Sequence, residues 1–320
     1  MKFLHIIFSG LLSLVTLAPV SAFSQAYPSR PINLIVPYPP GGNTDIVARL
    51  YGQALSERLG QPVVLDYRAG GAGTLGMGIA AKAPNDGYTL VVGDLGSLVI
   101  AKFANPALGY MPEKDFAPIG LISVISIAIT ANPKSPANNM SEFIALARAQ
   151  PGRLSYATGG VGTPGHLAME LLRSTAKIDI LHVPFKGGAQ GVTALIGEHV
   201  DLLADGAAFA QVKSGRLKAL GVTGPRLPAL PEVPSISESV GGFSFSNWYG
   251  ILAPAGTPTA VVDRINKELR QIAEMPDIRD KLTALGQVTR SSSSKELADL
   301  VRTETEKIAG IVKTAGIKFE

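Results

Sequence analysis

Short apolar runs rich in β-branched residues alternate with helical patterns along this chain, and that alternation limits its fold more than any other feature. Residues 32–36 form the first run and predict a buried strand, and a helical pattern over 43–59 follows it. A second strand is expected over 63–66, and the order repeats with a helix over 74–82 and a strand over 88–93. Such strand–helix–strand units need right-handed crossovers, so the sequence predicts an α/β fold with mostly parallel sheets.

The alternation is interrupted once and then starts again, which predicts two lobes in a chain of 320 residues. A long strand is expected over 121–130, and the stretch 131–139, rich in Pro, Asn and Ser, predicts the crossing into a second lobe. The apolar segment 248–253 predicts the crossing back. We therefore expect two doubly wound lobes joined by two crossover segments, with a ligand cleft between them. Residues 27–130 and 250–320 are expected to form lobe 1, and residues 131–249 to form lobe 2, inserted into lobe 1.

The first 26 residues have the pattern of a secretory signal peptide. Leu4–Val20 is nearly all apolar and carries no charge, and the small residues after it allow cleavage after Ala22 or Ala26. No later apolar run reaches the roughly 20 residues that a membrane span needs. The sequence has no cysteine that could take a lipid, so we expect an exported protein of the periplasm that is not a lipoprotein.

Composition excludes several classes of site. Zero cysteine excludes disulfides, thiolate zinc sites and cysteine nucleophiles together. The 29 basic and 25 acidic residues are scattered, with no basic run, so nucleic-acid binding is not expected. His166, His182 and His199 show no ligand spacing, so neither a metal nor a cofactor is expected. The sequence also lacks a G-x-S-x-G elbow, which weakens the case for a hydrolase.

Two glycine turns match the pattern G-x-G-x-x-G, at 71–76 and 160–165. The first turn follows a strand, opens a helix and has Asp94 at the end of the next strand, which is the context of a dinucleotide fingerprint. A tight turn that packs its helix on the sheet gives the same pattern, and export argues against a dinucleotide. Under either interpretation, both turns are expected to point free backbone N–H groups and the positive end of a helix toward the cleft.

A third turn, 37–45, combines stiffening prolines with Gly41 and Gly42, which let a ligand approach the backbone closely. We expect this turn to contact the ligand; the alternative is a stiff surface connection with Asn43 as a helix cap. Three helix N-termini that face one cleft would bind a carboxylate without any arginine or lysine.

Several single residues allow two interpretations each. His166 either caps or packs locally, or lines the cleft as a donor. Asp205 either caps a helix or accepts a hydrogen bond in the cleft, and Lys186 is either solvated or guards the cleft. Trp248 and Tyr249 are expected to pack in the core or hinge rather than against the ligand.

Two capping patterns predict helix starts. Thr257 and Pro258 predict a helix with threonine at the cap and proline at the first helical position. Ser293 and Glu296 predict a capping box for a final helix that runs to about Thr314.

Over essentially the whole mature chain, the sequence resembles the substrate-binding receptors of tripartite tricarboxylate transporters, the Bug-type receptors. No single segment carries the resemblance, but their order along the chain is specific. These segments are 27–32 (YPSRPI), 37–45 (PYPPGGNTD), 84–90 (PNDGYTL), 114–118 (KDFAP), 155–167 (from SYA to GHL), 183–188 (VPFKGG), 201–205 (DLLAD) and 252–258 (LAPAGTP).

The resemblance implies a type II periplasmic-binding-protein fold whose lobes close on a small organic acid. It also implies that turns of both lobes hold a carboxylate through backbone groups, hydroxyls such as those of Thr44 and Thr163, and ordered waters. The residues that it assigns to ligand binding are Tyr38, Gly41, Gly42, Asn43, Thr44, Asp45 and Ser97 in lobe 1, and Gly160, Thr163, His166 and Asp205 in lobe 2. We expect Asp45 to fix its loop by accepting bonds from N–H groups or water, rather than to touch the carboxylate.

The chain departs from the family pattern in two places. Residues 67–70 (YRAG) stand where an Asn-Arg-Pro-Gly-like run is usual, and residues 93–97 (GDLGS) stand where small hydroxyl residues are usual. Only Ser97 keeps a hydroxyl there, so we expect this edge of the pocket, and with it the choice of ligand, to differ.

The leading interpretation is a monomeric periplasmic receptor, not an enzyme, that captures a small organic carboxylate and delivers it to the membrane permease subunits of the transporter. One alternative is an exported hydrolase or isomerase that uses the same cleft. Another is a ligand sensor that docks on the kinase of a two-component system.

Overall fold

The computed structural model describes residues 27–317 and 319, so the signal peptide expected over 1–26 lies outside the described residues. Within them, eleven strands form two sheets with helices packed on both. The six-stranded sheet has the order β11-β4-β10-β3-β1-β2. Its strands are β1 (Ile32–Val36), β2 (Val63–Tyr67), β3 (Thr89–Asp94), β4 (Phe116–Ile125), β10 (Asn247–Pro254) and β11 (Gln287–Thr289).

The five-stranded sheet belongs to lobe 2 and has the order β7-β6-β8-β5-β9. Its strands are β5 (Ala128–Ala131), β6 (Ser155–Thr158), β7 (Leu181–Pro184), β8 (Leu202–Ala204) and β9 (Lys218–Val222). The α/β class predicted from the alternation is therefore confirmed.

Lobe 1 carries seven α-helices and lobe 2 carries four within the part of the chain that the structure describes. Those of lobe 1 are α1 (Asn43–Leu59), α2 (Thr74–Ala81), α3 (Ala101–Ala104), α4 (Pro112–Asp115), α9 (Thr259–Ala273), α10 (Pro276–Ala284) and α11 (Ser294–Ala315). Those of lobe 2 are α5 (Met140–Ala149), α6 (Pro164–Ala176), α7 (Gly188–Ile196) and α8 (Phe209–Lys213). Among these described residues, none of the helices combines the length and the apolar character that crossing a membrane requires.

Both sheets are mixed, which corrects the expectation of mostly parallel sheets. The β1–β2, β1–β3, β6–β7 and β6–β8 pairs are parallel. By contrast, β10 pairs antiparallel with β3 and β4, and β5 pairs antiparallel with β8 and β9. β5 and β10 are the strands that enter a sheet from the other lobe, and β11, which follows α10, also pairs antiparallel with β4.

Residues 121–130 do not form one long strand. β4 ends at Ile125 in the first sheet, and β5 begins at Ala128 in the second. The first crossing therefore lies at 126–127 rather than at 131–139, and β5 belongs to lobe 2. A continuous apolar run looks the same in sequence whether it forms one strand or two consecutive strands, so the sequence did not show the break.

The return crossing also lies earlier than expected. All of β10, including Trp248 and Tyr249, pairs within the first sheet, so the chain has returned before Asn247 rather than at 248–253. Thr223 joins the two crossings, because its N–H donates to the Ile127 carbonyl and its carbonyl accepts from the N–H of Phe245, both at 3.0 Å. Its hydroxyl oxygen also accepts from the Ile127 N–H at 2.9 Å.

The C-terminal helix α11 belongs to lobe 1 and also packs against lobe 2. Its buried residues Leu297, Val301 and Ile308 share a core cluster with Tyr156 of β6 and Leu167 of α6. The predicted capping box at its start is confirmed, since Ser293 and Glu296 bond each other's backbone N–H groups. The cap predicted for α9 is wrong: Pro258 occupies the cap position, and the Thr257 hydroxyl donates to the Pro254 carbonyl at 2.8 Å instead.

Candidate functional site

A cavity of about 230 Å³ lies between the two sheets. That volume is below the roughly 300–1,000 Å³ typical of pockets for drug-sized ligands, so the cleft suits a small molecule. Lobe 1, the first crossing segment at 126–127 and lobe 2 all line it. The lining residues are Tyr38, Pro39, Pro40, Gly42, Asn43, Thr44, Asp94, Ile125, Ile127, Gly159, Thr163, Pro164, Gly165, Lys186, Gly187, Gly188, Ala189, Gln190, Ala204, Asp205, Gly206, Asn247 and Tyr249.

Three helices present their N-termini to this cavity. α1 contributes Gly42–Thr44, α6 contributes Thr163–Gly165, and α7 contributes Gly187–Gln190. Three were expected, but the sequence pointed to α2 in place of α7. The 183–188 segment was noted as a family motif, and its glycine pair before an apolar helix was the signal that could have identified the third N-terminus.

The glycine turn before α2 packs behind the cleft wall instead of lining it. A methyl group on Gly73 would lie 3.0 Å from the Tyr38 ring, and one on Gly76 would lie 2.9 Å from Pro37 Cα. The last glycine of the matching turn in lobe 2, Gly165, lines the cavity and is also tightly packed, because a methyl group on it would lie 1.9 Å from the Ala204 carbonyl oxygen. Both G-x-G-x-x-G matches therefore reflect close packing of a helix against a strand.

The α1 turn is held by Asp45, which lies behind the cleft lining. Asp45 Oδ2 accepts from the Gly41 N–H at 2.8 Å, and Oδ1 accepts from Arg49 Nε at 2.7 Å and from the Tyr67 hydroxyl at 2.6 Å. The bond to a loop N–H is the one expected. Gly41 has φ +89°, which favours glycine, whereas Gly42 is extended at φ −92° and holds the cap position of α1.

The α6 turn is held by neutral groups. The Thr163 hydroxyl donates to the Gly160 carbonyl at 2.7 Å and caps the His166 N–H, so its proton is already committed within the turn. His166 is buried, and its Nδ1 accepts from the Gly162 N–H at 3.2 Å. Neither Gly160 nor His166 lines the cavity, so His166 supports the turn from behind, which is the local role among the two considered.

A stack of rings continues from His166 into lobe 2. His166 and His182 lie 4.1 Å apart, and His182 in turn stacks on Tyr156 at 4.8 Å. His182 Nε2 lies 2.7 Å from the Thr158 hydroxyl. Burial lowers the pKa of His166, and burial next to His166 lowers the pKa of His182 to about 3, so both rings are neutral near pH 7.

Asp94 is a cleft residue that the sequence analysis named only in the dinucleotide-like pattern and as a departure from the family pattern. Its Oδ1 accepts from the Ser97 N–H at 2.9 Å and from the Ser97 hydroxyl at 2.7 Å, while Ser97 Oγ accepts from the Asp94 N–H at 3.2 Å. Ser97 is fully buried and does not line the cavity. Asp94, and not Ser97 as predicted, lines this edge of the pocket. Burial raises the pKa of the Asp94 carboxyl.

Tyr38 connects Asp94 to the cleft wall. Its hydroxyl lies 3.0 Å from both the Ala72 carbonyl oxygen and Asp94 Oδ1 and can donate to either. Burial and the neighbouring Asp94 raise the pKa of Tyr38 well above its usual value, so the hydroxyl stays protonated. Tyr249, expected in the core or hinge, is buried in β10 and lines the same cavity.

Asp205 caps a helix, which is one of the two roles considered, and it also lies in the cavity wall. Its Oδ1 accepts from the Ala207 N–H at 2.9 Å, which caps the short helix 206–208, and the half-buried side chain also lines the cavity. A methyl group on Gly188 would lie 2.2 Å from Asp205 Oδ1, so the carboxylate lies against the start of α7. Burial raises its pKa. Lys186 is exposed and lies at the edge of the cavity.

The lobes touch each other around the cleft in a closed arrangement. A methyl group on Gly206 in lobe 2 would lie 1.7 Å from Asn43 Nδ2 in lobe 1, and one on Gly187 would lie 3.3 Å from Pro39 Cγ. Asn43 therefore packs against the opposite lobe instead of capping α1.

With this geometry established, comparison with known proteins decides the family. Residues 47–317 match the model of the tripartite tricarboxylate transporter family receptor, TctC. The chain belongs to this receptor family. A relative in Pseudomonas sp. (strain P51), the UPF0065 protein in the tcbD-tcbE intergenic region, is 40% identical over 88% of this chain and 85% of its own length.

Two solved structures are similar to this receptor along most of its length. R. palustris Rpa4515 with adipate is 32% identical, with a TM-score of 0.89, and the match covers 91% of this chain and 99% of that one. The periplasmic binding protein BugD is also 32% identical, with a TM-score of 0.86 and the same coverage. The receptor thus has the two-lobe α/β fold of periplasmic binding proteins.

Membership also settles the choice between receptor and enzyme. TctC-family receptors are non-enzymatic binding proteins of transporters, so the alternative of an exported hydrolase or isomerase is wrong. Of the eleven residues predicted for the site, the receptor brings Tyr38, Gly42, Asn43, Thr44, Thr163 and Asp205 to the cavity wall. The other five, Gly41, Asp45, Ser97, Gly160 and His166, shape the turns from behind.

Proposed function

We propose that this receptor is exported to the periplasm, captures a small organic carboxylate in the interlobe cleft and delivers it to the membrane subunits of a tripartite transporter. The observation that carries the proposal is the convergence of the α1, α6 and α7 N-termini on one cavity of about 230 Å³. N-terminal backbone N–H groups and helix dipoles favour an anion at such a point.

The energetics of this arrangement are sufficient for useful affinity. A helix end contributes up to about 2 kcal/mol in a partly buried site, and a hydrogen bond to a charged group about 1.5–3 kcal/mol. Three helix ends with a few such bonds reach the roughly 8.2 kcal/mol that micromolar binding requires, without a buried cation. The similar structure of R. palustris Rpa4515 with adipate supports a carboxylate as the bound group.

Capture by two lobes suits delivery to a membrane partner. The ligand would be enclosed between Pro39 and Asn43 on one side and Gly187 and Gly206 on the other, where the lobes meet. Release then requires the lobes to separate, and a membrane subunit that favours the open arrangement would trigger it. The signal-like segment 1–26 supports export.

The direct test is calorimetry and thermal unfolding of the mature receptor with adipate and a panel of mono-, di- and tricarboxylates, with adipamide as the uncharged control. We expect at least one carboxylate to bind, and at 100 times its dissociation constant to raise the free energy of unfolding by about 2.7 kcal/mol. The ligand should be recovered unchanged. Binding of adipamide as tightly as adipate, or no response to any carboxylate, would refute the proposal.

A further inference from the structure

We propose that the ligand carries a positively charged amino group as well as its carboxylate, and that Asp94, together with Asp205, receives that amino group. This inference rests on the proposed function and deepens it, because it names the class of carboxylate. The three helix N-termini provide a place for the negative end of the ligand. The two aspartates provide the complementary place for a donor.

The bonding of Asp94 is incomplete within the protein. The side chain is only 3% exposed, and Oδ1 accepts from Ser97 and lies within reach of the Tyr38 hydroxyl. Oδ2 faces Gly96, whose backbone N–H favours the charged carboxylate, and no side chain from residues 27–317 or 319 donates to it. Because Asp94 lines the cavity, Oδ2 can accept a further donor from the cleft.

Asp205 presents the same arrangement from lobe 2. Its Oδ1 is used by the Ala207 N–H, and Oδ2 receives no hydrogen bond from the described part of the chain. Asp94 ends β3 in lobe 1 and Asp205 follows β8 in lobe 2, so an amino group between them would be held by both lobes. Ligand binding would then stabilise the closed arrangement that the structure shows.

The charge of the wall favours a zwitterion over a diacid. The described charged residues that line the cavity are Asp94, Asp205 and the exposed Lys186, two negative and one positive. An unsubstituted dicarboxylate would place a second negative group in this cavity, close to at least one aspartate. An amino carboxylate would place its ammonium group near the aspartates and its carboxylate near the positive ends of the helices, so each charged group would meet the opposite charge.

One other arrangement uses the same residues. A protonated carboxyl at Asp94 or Asp205 would donate to a second ligand carboxylate, and burial does raise the pKa of both groups. The donors on Oδ1 of Asp94 favour its charged form instead, because N–H and O–H groups stabilise a carboxylate. The two arrangements predict opposite ligand preferences, which makes them separable.

The test is calorimetry at pH 7.5 on the mature receptor with three matched pairs: glutarate and L-glutamate, adipate and L-2-aminoadipate, butyrate and 4-aminobutyrate. We expect the amino compound to bind about tenfold more tightly, or better still, in at least one pair, the effect of one charge-assisted hydrogen bond. Asp94→Asn keeps the size and the capping ability of the side chain but removes its charge. It should abolish that preference, and Asp94→Ser, which restores the hydroxyl usual in the family, should do the same.

Asp277→Asn on the exposed surface of α10 is the matched control and should leave every affinity unchanged. Thermal unfolding of each variant without ligand shows whether it is folded. The proposal is overturned if the unsubstituted acid binds as tightly as its amino partner in every pair, or if both Asp94 variants fold and keep the wild-type preference. In those outcomes the receptor still binds carboxylates, so the proposed function stands. If none of the six compounds binds, and no acid of the carboxylate panel binds more tightly than adipamide, the proposed function is refuted as well.

Discussion

The two best-defined ligand turns, before α1 in lobe 1 and before α6 in lobe 2, are supported by different chemistry. The α1 turn depends on a charged acceptor, since Asp45 holds the Gly41 N–H, and Arg49 balances its charge. The α6 turn depends on a neutral imidazole, since His166 Nδ1 holds the Gly162 N–H. In each case a side chain from the first turns of the helix fixes the loop that precedes it.

The comparison teaches how a binding site for an anion can be built around acidic side chains. Asp45 lies behind the lining and its charge is offset by Arg49, so it organises the turn without meeting the ligand. His166 achieves the same support without any charge, but only while Nδ1 stays unprotonated. The α6 turn therefore loses this support only when His166 is protonated, and burial lowers the pKa of His166, which moves that loss to lower pH.

The largest effect is expected from Gly42→Val. Gly42 is extended at φ −92°, and a methyl group there would meet only the Pro39 carbonyl, at 4.0 Å, so the fold should accept the substitution. The added side chain would occupy the cavity at the α1 N-terminus. We expect calorimetry to show at least a hundredfold loss of carboxylate affinity, about 2.7 kcal/mol, with an unchanged melting temperature. Gly241→Val, where nothing lies within 4 Å of the added methyl group, is the control. Wild-type affinity in Gly42→Val would remove the α1 turn from the site.

Asp45→Ala tests the charged support of the α1 turn. It leaves the Gly41 N–H and the Tyr67 hydroxyl without their charged acceptor. We expect the free energy of unfolding, measured by urea titration, to fall by about 1–3 kcal/mol, and carboxylate affinity to fall about tenfold because the turn is no longer fixed. Asp280→Ala, a surface carboxylate on α10, controls for the loss of charge. A gain in affinity would instead show that Asp45 repels the ligand.

The pH dependence of stability should come from lobe 2. The pKa of His182 is about 3 in the folded protein and about 6.5 when unfolded, so the unfolded chain binds more protons between these values. Stability therefore falls as the pH falls from about 6.5 toward 3. The raised pKa of Asp94 has the opposite sign, because the folded state then binds the extra proton.

His182→Phe isolates this contribution, since phenylalanine keeps a ring against His166 and Tyr156 but does not titrate. Urea unfolding of the variant at pH 7 and pH 5 should show a smaller loss of stability on acidification than the wild type shows. His199→Phe, at a histidine outside the stack, should lose stability with pH as the wild type does. An equal loss in His182→Phe and the wild type would place the acid sensitivity elsewhere.

The smallest effect is expected from the cations. Lys186 is exposed at the edge of the cavity, and Arg68 is exposed and paired with Asp66 outside it. Exposed ion pairs contribute about 0–1 kcal/mol, so alanine at either position should change carboxylate affinity less than about fivefold. Thr44→Ala, at the buried α1 N-terminus, should have the larger effect. If Lys186→Ala abolishes binding while Thr44→Ala does not, the ligand carboxylate is held by a salt bridge to Lys186 rather than by the helix N-termini.

Prediction from sequence succeeded where the cause is local. The α1 bounds of 43–59 and the capping box of Ser293 and Glu296 depend on residues a few positions apart, and the structure has both as predicted. The order of the family-like segments indicated the family for the same reason, because turn and capping residues occur at fixed spacings along the chain. The bond from the Gly41 N–H to Asp45 spans only four residues and could likewise be expected.

Only the tertiary structure decided which groups meet in the cleft. The α7 N-terminus faces the cavity and the turn before α2 does not, a choice set by the strand orders of two sheets that join residues far apart in the chain. The sequence did not predict the break between β4 and β5 at 126–127, because a single apolar run contains both strands although they belong to different sheets. Asp94 joined the cavity wall for the same reason. Its burial at the end of β3 and its position between the lobes depend on the folded arrangement of both, which a one-dimensional pattern does not record.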